Sequence, residues 1–268
     1  MSPWLELCRA AVGDLRRILA ELPTRREREP VLGRGLGGDD TTAIDGAAEG
    51  AVVARLERLH RQGLDFTLVS EELGERVFGA AGRWWVVVDP IDGSVNAKRD
   101  IPFFSLSLAV ADGPRMRDVV FGFVHDFGTG EEWTAVRGEG AHLDGVRLGD
   151  VRPKEAIEIL ALEATQLPSV ADYAPALVGV AERLRIMGSL ALSLCYLAAG
   201  RVDGVCTLKT ARAVDIAAAQ LLIGECGGAI ELCNGPPLGD APLDVEGRSQ
   251  VVAAGTPEAC ATLAAALR

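Results

Sequence analysis

Apolar positions recur with helical spacing along the first 60 residues and then switch to the two-residue alternation of strands. Between 3 and 22, Trp4, Leu5, Cys8, Ala11, Leu15, Ile18 and Leu19 fall near helical spacing, which predicts an amphipathic helix. Residues 23–42 are polar and glycine-rich, ending in GLGGDDTT. The helical pattern resumes over 43–62, where Ala47, Ala51, Ala54 and Leu59 mark the inner face. Two strands follow. DFTLVS, 65–70, leads into Glu71 and Glu72, and RWWVVVD, 83–89, leads into a turn. Three short alternating segments, 103–111, 118–126 and 131–138, are joined by turns containing Gly, Asp or Pro and predict an antiparallel meander.

The second half alternates between the two periods. A strand near 156–164 precedes a helix around 170–182, the segment RLRIMGS and an Ala/Leu-rich helix over 189–199. VDGVCTL, 202–208, reads as a strand, and the helix beginning AVDIAAAQ closes on Gly227 and Gly228. A strand near 249–254 and a helix over 256–267 complete a layered α/β half. The chain thus divides into an N-terminal α+β half, 1–155, and a C-terminal α/β half, 156–268, expected to form one unit.

Composition narrows the function. A chain of 268 residues, 49% hydrophobic, is long enough to bury a substantial core. Its net charge of −11 argues against nucleic acids and anionic membranes as partners. An anionic small molecule stays open, because a bound cation reverses the local field. Six cysteines occur with no C-x-x-C pair, several inside apolar runs such as LSLCYLAAG, and read as buried thiols. The first helix carries charges throughout, unlike a signal peptide, and no stretch approaches membrane-spanning length. A reducing cytoplasm is the expected location.

Acidic residues gather at the ends of predicted elements: Asp39, Asp40 and Asp45 in GGDDTTAID, Glu71 and Glu72 in VSEELGE, Asp89 and Asp92 in VVVDPIDGSVN, and Asp215 in ARAVDIAAAQ. Each alone has an ordinary account as a turn, a strand exit or an N-terminal acid. Together they offer the all-oxygen inventory that magnesium prefers. Two or three such ions about 3.5–4 Å apart would clamp the attacking and leaving oxygens of a phosphoryl transfer. The three histidines, His60, His125 and His142, lack zinc-like spacing. No phosphate-binding G-x-x-x-x-G-K-[ST] loop, G-x-S-x-G elbow or dinucleotide fingerprint is present.

Ser70-Glu71-Glu72, the run D-P-I-D-G-S-x-N, and Asp215 opening a helix that ends in E-x-G-G together resemble the inositol monophosphatase family, over about residues 35–255. That family belongs to the lithium-sensitive, magnesium-dependent phosphatases that include fructose-1,6-bisphosphatase. HDFGTGEEWTA, RLRIMGSLALSLCYLAAGRVDG and KTARAVDIAAAQ are similar to the archaeal-type enzymes with both activities. The resemblance implies alternating helix and sheet layers, the αβαβα sandwich of the sugar phosphatases, and a homodimer. It implies Mg2+, two or three ions per site, with Mn2+ as a substitute. The expected reaction is hydrolysis of a small phosphorylated sugar or polyol, fructose 1,6-bisphosphate and/or inositol 1-phosphate, by a metal-activated water.

Roles carry over by motif. Glu71 would ligate metal and share a third, weaker ion, and Asp89 would bridge two ions. The Ile91 carbonyl would add a ligand, and Asp92 and Asp215 would complete the second site while also facing substrate. The N–H groups of Gly93 and Ser94 would hold the phosphate. Asp39, Thr42 and Asp45 match the spacing of the pair that orients the water, with Thr41 as the alternative threonine. Arg185, Leu190 and Lys209 would contact the rest of the substrate, with Arg212 supporting the same wall.

Three positions depart from the family pattern: Ser94 for a threonine, Val214 for a tryptophan, and Leu208 for the glutamate that grips inositol hydroxyls in animal-type enzymes. The cation at Lys209 would suit a second phosphate. Other readings are a family phosphatase for 3′-phosphoadenosine phosphate, NADP, histidinol phosphate or a specialised-metabolite sugar phosphate, and a non-catalytic metal- or phosphosugar-binding regulator.

Overall fold

An amphipathic helix must bury its apolar stripe, and α1 (Pro3–Glu21) does so with Trp4, Leu7, Cys8, Ala11, Val12 and Leu15 on one face. The computed structural model describes residues 3–38, 40–80, 82–150, 154, 156–163 and 166–268. A short α2 (Arg25–Arg28) ends in the buried Arg28, whose guanidinium donates to the carbonyls of Leu19 and Leu22 at the end of α1 and to that of Ala97. A helix end leaves its last carbonyls without helical donors, so one arginine closes α1 and, through Ala97, ties it to the turn beside the site.

A hairpin of β1 (Val31–Arg34) and β2 (Asp40–Thr42) leads into α3 (Ala43–Arg61), which buries Ile44, Ala48, Val52 and Leu56 and packs against α1. The main sheet follows: β3 (Phe66–Ser70), β4 (Gly74–Phe78), β5 (Trp84–Asp92), then after the one-turn α4 (Ser94–Lys98), β6 (Ser105–Ala111), β7 (Val119–Asp126), β8 (Glu132–Val136), β9 (Gly140–Leu143) and β10 (Val146–Arg147). Its order is β10-β9-β8-β7-β6-β5-β3-β4. The expected meander is β6–β7–β8, and the antiparallel run continues beyond it to β5 on one side and to β9 and β10 on the other. β3 pairs parallel with β5, and every other neighbour pair is antiparallel.

The second sheet has order β12-β11-β13-β15-β14. Its strands are β11 (Ile157–Glu163), β12 (Ala181–Arg185), β13 (Gly204–Thr207), β14 (Ala229–Leu232) and β15 (Val251–Ala254). The helices of this half are α5 (Leu167–Leu177), α6 (Leu190–Ala198), α7 (Ala213–Glu225) and α8 (Pro257–Leu267). α7 packs on β5, β6 and β7 of the main sheet and on β14 of the second, with α6 beside it, while α8 covers the far face of the second sheet and packs with α5. The layers therefore run α1/α3, main sheet, α6/α7, second sheet, α5/α8, the expected sandwich. Three apolar cores fill the gaps between layers. The central core joins Val69 and Val87 to Ala217, Leu222 and Ala253, so both halves of the chain share it.

The helix expected over 170–182 instead spans Leu167–Leu177, and Ala181–Arg185 is a strand parallel to β11. Pro175 lies in its last turn and Gly179 takes φ +83°, so the chain leaves the helix there. The polar stretch 23–42 contains α2 and the β1–β2 hairpin. β4 and β14 were also absent from the sequence reading, being short and partly solvent-facing. Asp39 lies outside the described residues, as do 151–153 and 155 at the expected boundary between halves. The six cysteines are free, and no helix among the described residues is long and apolar enough to cross a membrane.

Candidate metal centre and substrate cavity

The site begins where β5 loses its regular pairing. Asp89 faces Ser107 on β6 and Asp92 faces Ser105, so β5 carries one extra residue between them. Such a bulge bends the strand and re-aims its side chains. The Ile91 N–H donates to Asp89 Oδ1 at 2.9 Å, fixing the carboxylate against its own turn. Asp92 reaches the second half: its Oδ2 accepts from Ser189 Oγ at 2.5 Å and from the Ala191 N–H at 2.8 Å, at the start of α6. An acid there meets the positive end of the helix dipole.

Gly93 follows with φ +92°, and a Cβ on it would lie 2.9 Å from the Gly188 carbonyl oxygen and 3.2 Å from that of Phe103. Only glycine fits this turn into α4. Asn96 secures the same junction by donating to the carbonyls of Phe103 and Met187 at 2.8 and 2.7 Å.

Glu71 follows β3, and Asp215 sits in the first turn of α7, where its Oδ2 accepts from the Arg212 N–H at 2.7 Å. Glu71, Asp89 and Asp215 each offer an oxygen within 4.8 Å of the others. The Arg212 guanidinium lies among them, donating to Glu71 Oε1 at 2.6 Å and approaching Asp215 Oδ1 at 3.4 Å. The glycine-rich loop after β1 closes over the pair. Gly37 N–H donates to the Glu71 carbonyl at 2.8 Å, and a Cβ on Gly37 would meet that oxygen at 2.7 Å.

Burial and mutual repulsion make these acids reluctant to ionise. Burial, opposed by Arg212 and reinforced by Asp215, pushes Glu71 up to about 7. Asp89 is raised well above the ordinary carboxylate value, first by burial and then by Glu71, Asp92 and Asp215. Burial raises Asp92 to about 6, against the donation from Ser189. Burial works against the Arg212 charge, yet Asp215, Glu71 and Asp89 outweigh it and its pKa rises. A donor set made only of carboxylate and carbonyl oxygens, crowded and short of positive charge, fits hard divalent cations such as Mg2+ or Mn2+.

Beside this cluster opens a cavity of about 640 Å³. Its lining includes Asp45, Glu71, Asp89, Ile91, Asp92, Gly93, Ser94, Leu190, Lys209, Arg212 and Asp215, which the sequence reading had named. Thr42 sits one step behind, donating to Asp45 Oδ2 from Oγ1 at 2.5 Å and from its N–H at 3.1 Å, the capping box of α3. Thr41 Oγ1 donates to Glu72 in a parallel pair. Both carboxylates face the cavity and neither threonine lines it. Arg185 is not brought to the cavity: it ends the edge strand β12, is exposed, and its Nη1 donates to the Leu184 carbonyl at 2.9 Å.

Three residues absent from the sequence reading belong to this region. Glu163 lines the cavity from the end of β11, accepting from Ser193 Oγ at 2.6 Å and the Gly188 N–H at 3.0 Å, and burial lifts it to about 7. Its signal was a lone acid closing an apolar strand. Glu49 is buried on α3 behind Ser70, which donates to Oε1, while its Oε2 has no hydrogen-bond partner among the described residues. Burial lifts it, too, to about 7. Lys98, closing α4, lines the cavity opposite the acids in charge.

Residues 6–268 match the family model described as the inositol monophosphatase family. The chain is 33% identical over 255 residues to the fructose-1,6-bisphosphatase/inositol-1-monophosphatase of Methanothermobacter thermautotrophicus, covering 91% of this chain and 89% of that protein. It is 34% identical over 253 residues to the protein of the same name from Archaeoglobus fulgidus, covering 93% and 92%. Among solved structures, an inositol monophosphatase-fructose 1,6 bisphosphatase superposes with a TM-score of 0.84 at 28% identity, covering 99% of this chain and 100% of that one.

Proposed function

The chain belongs to the inositol monophosphatase family, and from that premise we infer a phosphoric monoester hydrolase of small phosphorylated sugars or polyols that works with Mg2+ on fructose 1,6-bisphosphate and inositol 1-phosphate. The observation that carries this reading is the convergence of Glu71, Asp89 and Asp215 within 4.8 Å on the wall of the cavity. Among Glu71, Asp89, Asp92 and Asp215 no carboxylate is missing, which favours an enzyme over a binding protein.

Glu71, Asp89, the Ile91 carbonyl, Asp92 and Asp215 would hold the cations, with Asp89 at the centre of the acidic cluster. Bound there, the cations supply Lewis-acid charge that polarises the phosphoryl oxygens and acidifies water. The residues do the rest. Asp45, held by Thr42, accepts a proton's hydrogen bond and orients the attacking water, with Asp39 completing that motif and Thr41–Glu72 lying parallel to it. The first N–H groups of α4, those of Gly93 and Ser94, lack partners within the helix and hold phosphate oxygens. Asp92 and Asp215 face the ester oxygen side, Leu190 packs on the sugar, and Lys209 meets a further anionic group. Arg185 receives no contact in this scheme.

We read 1–155 and 156–268 as two parts of one catalytic unit, supported by the shared core. A cytoplasmic homodimer is the accompanying reading, supported by the free cysteines and by exposed Val178, Leu184 and Ile186 around β12. Phosphate release from a panel of phosphometabolites, with Mg2+ or Mn2+ and with or without Li+, tests the whole. Mg2+-dependent release from phosphosugars, suppressed by Li+, is expected. No metal-dependent release from any member would refute it.

A further inference from the structure

Of 27 basic residues only three are lysines, Lys98, Lys154 and Lys209. Two of the three, Lys98 and Lys209, line the cavity. Lys154 pairs with Glu158 on the surface, and arginines beside acids are paired as well: Arg55 with Asp14, Arg201 with Glu131, Arg212 with Glu71. Lys98 and Lys209 form no ion pair or hydrogen bond among the described residues, in a cavity rich in carboxylates.

The residue type fits that state. A guanidinium locks bidentately onto a nearby carboxylate, as Arg201 does on Glu131 through two nitrogens. An ammonium on a flexible stem is a point charge that stays hydrated until a multivalent anion arrives. Lys98 closes the same turn that opens with Gly93 and Ser94, one helical turn further on. Lys209 stands two residues past β13, and its charge reaches Asp92.

We propose that Lys98 is a specificity-determining residue: with Lys209 it forms a subsite for a second anionic group on the substrate, so the class served best is a sugar bisphosphate rather than a monophosphate. This rests on the phosphatase reading above. The scissile phosphate would lie at the Gly93–Ser94 turn beside the carboxylates that would hold cations, and the second phosphate at the two ammonium groups. Neither lysine touches the reacting atoms, so the effect falls on binding.

The test is steady-state kinetics of wild type, Lys98→Met and Lys98→Arg with fructose 1,6-bisphosphate and with fructose 1-phosphate, which lacks the second phosphate. Lys98→Met is expected to raise KM for the bisphosphate about tenfold, about 1.4 kcal/mol, with kcat within about twofold. Fructose 1-phosphate should be unaffected, and Lys98→Arg should restore only part of the loss, because its guanidinium can lock onto a cavity carboxylate. An equal loss on both substrates, or none on either, overturns the inference while leaving the phosphatase reading intact. A wild type that hydrolyses neither sugar phosphate, nor inositol 1-phosphate, fails that reading first and takes the inference with it.

Discussion

The acidic wall of the cavity and its basic rim differ in how firmly the fold holds them. On the wall, Asp89 is tied by its own turn, Asp92 by Ser189 and Ala191, Asp215 by the Arg212 N–H, and Glu71 by the Arg212 guanidinium. On the rim, Lys98 is half-buried, Lys209 is exposed, and neither has a partner among the described residues. Groups that must present fixed oxygens to a cation are over-determined, because misplacement weakens every step of the chemistry. The two lysines proposed to choose among substrates carry no such ties, and contacts to a ligand would be the first to fix them. In the proposed reading chemistry and selectivity are carried by different side chains of one cavity, and the comparison can be broken from either set.

The largest effect is expected on the wall. Asp89→Asn keeps the side chain's shape and removes the central carboxylate charge proposed to hold the cations, and should lower kcat/KM by about three orders of magnitude with Mg2+ saturating. The same change relieves repulsion among buried acids, so the metal-free protein should melt higher, not lower. Near-wild-type turnover would show that Asp89 is not a ligand. On the rim, Lys209→Ala should cost about tenfold in kcat/KM for fructose 1,6-bisphosphate and under about twofold for inositol 1-phosphate, since a single charge contact with a mobile stem is lost. Equal losses on both substrates would erase the distinction between wall and rim.

This contrast also explains what could be read from the sequence. The wall residues lie at element ends, where a strand of valines or an alanine helix stops at an acid, and local pattern marks them: Asp89 and Asp92 in one turn, Asp215 at the mouth of α7. The layered fold was legible from the apolar stripe of α1 and the alanine-rich run of α7 closed by glycines, whereas the inner face expected on α3 at Ala47, Ala51 and Ala54 is partly or wholly exposed and Ile44, Ala48, Val52 and Leu56 are buried instead. What escaped depends on tertiary placement. β12 reads as the tail of a helix until Gly179 ends it and β11 supplies a partner. Glu163 and Glu49 become notable only through burial, and Lys98 only through the cavity it lines. Arg185 was expected at the substrate by the resemblance of RLRIMG to the archaeal-type enzymes, whereas here it ends the edge strand β12 and is exposed.

A smaller effect concerns stability without metal. In the folded state Glu49, Glu71 and Glu163 rise from the ordinary 4.5 to about 7, and Asp92 from 3.8 to about 6. The native state therefore holds more protons than the unfolded chain across that window, and stability falls as pH rises through it. His125, drawn by burial from 6.5 to about 4, works the other way at the acid end of the window, since only its unfolded form is protonated there. Four carboxylates outweigh one imidazole. Metal-free protein in chelator should thus melt several degrees lower at about pH 8 than at about pH 5.5. Mg2+ should reverse the trend, because its ligands bind when deprotonated and binding to the native state adds stability. A melting temperature that rises with pH in chelator would mean the wall is not short of positive charge.

The smallest effect is expected at the third lysine, and it is the sharpest control on the rim. Lys154 carries the same charge as Lys98 and Lys209 but is exposed, pairs with Glu158 and lies outside the cavity lining. A chain of net charge −11 repels a doubly phosphorylated sugar as a whole, so removing any positive charge slows capture slightly. If that general field set the preference, Lys154→Met would weaken fructose 1,6-bisphosphate turnover as much as Lys98→Met, and both losses would fade together as salt screens the field. If the preference is local, Lys154→Met should leave kcat/KM for both substrates within about twofold at any ionic strength, while the Lys98→Met loss persists in part at physiological salt, where a charge in direct contact is screened less than one a Debye length of about 8 Å away. The measurement is a salt series of kcat/KM for the two variants side by side, and matching curves would assign the preference to the whole surface instead of the rim.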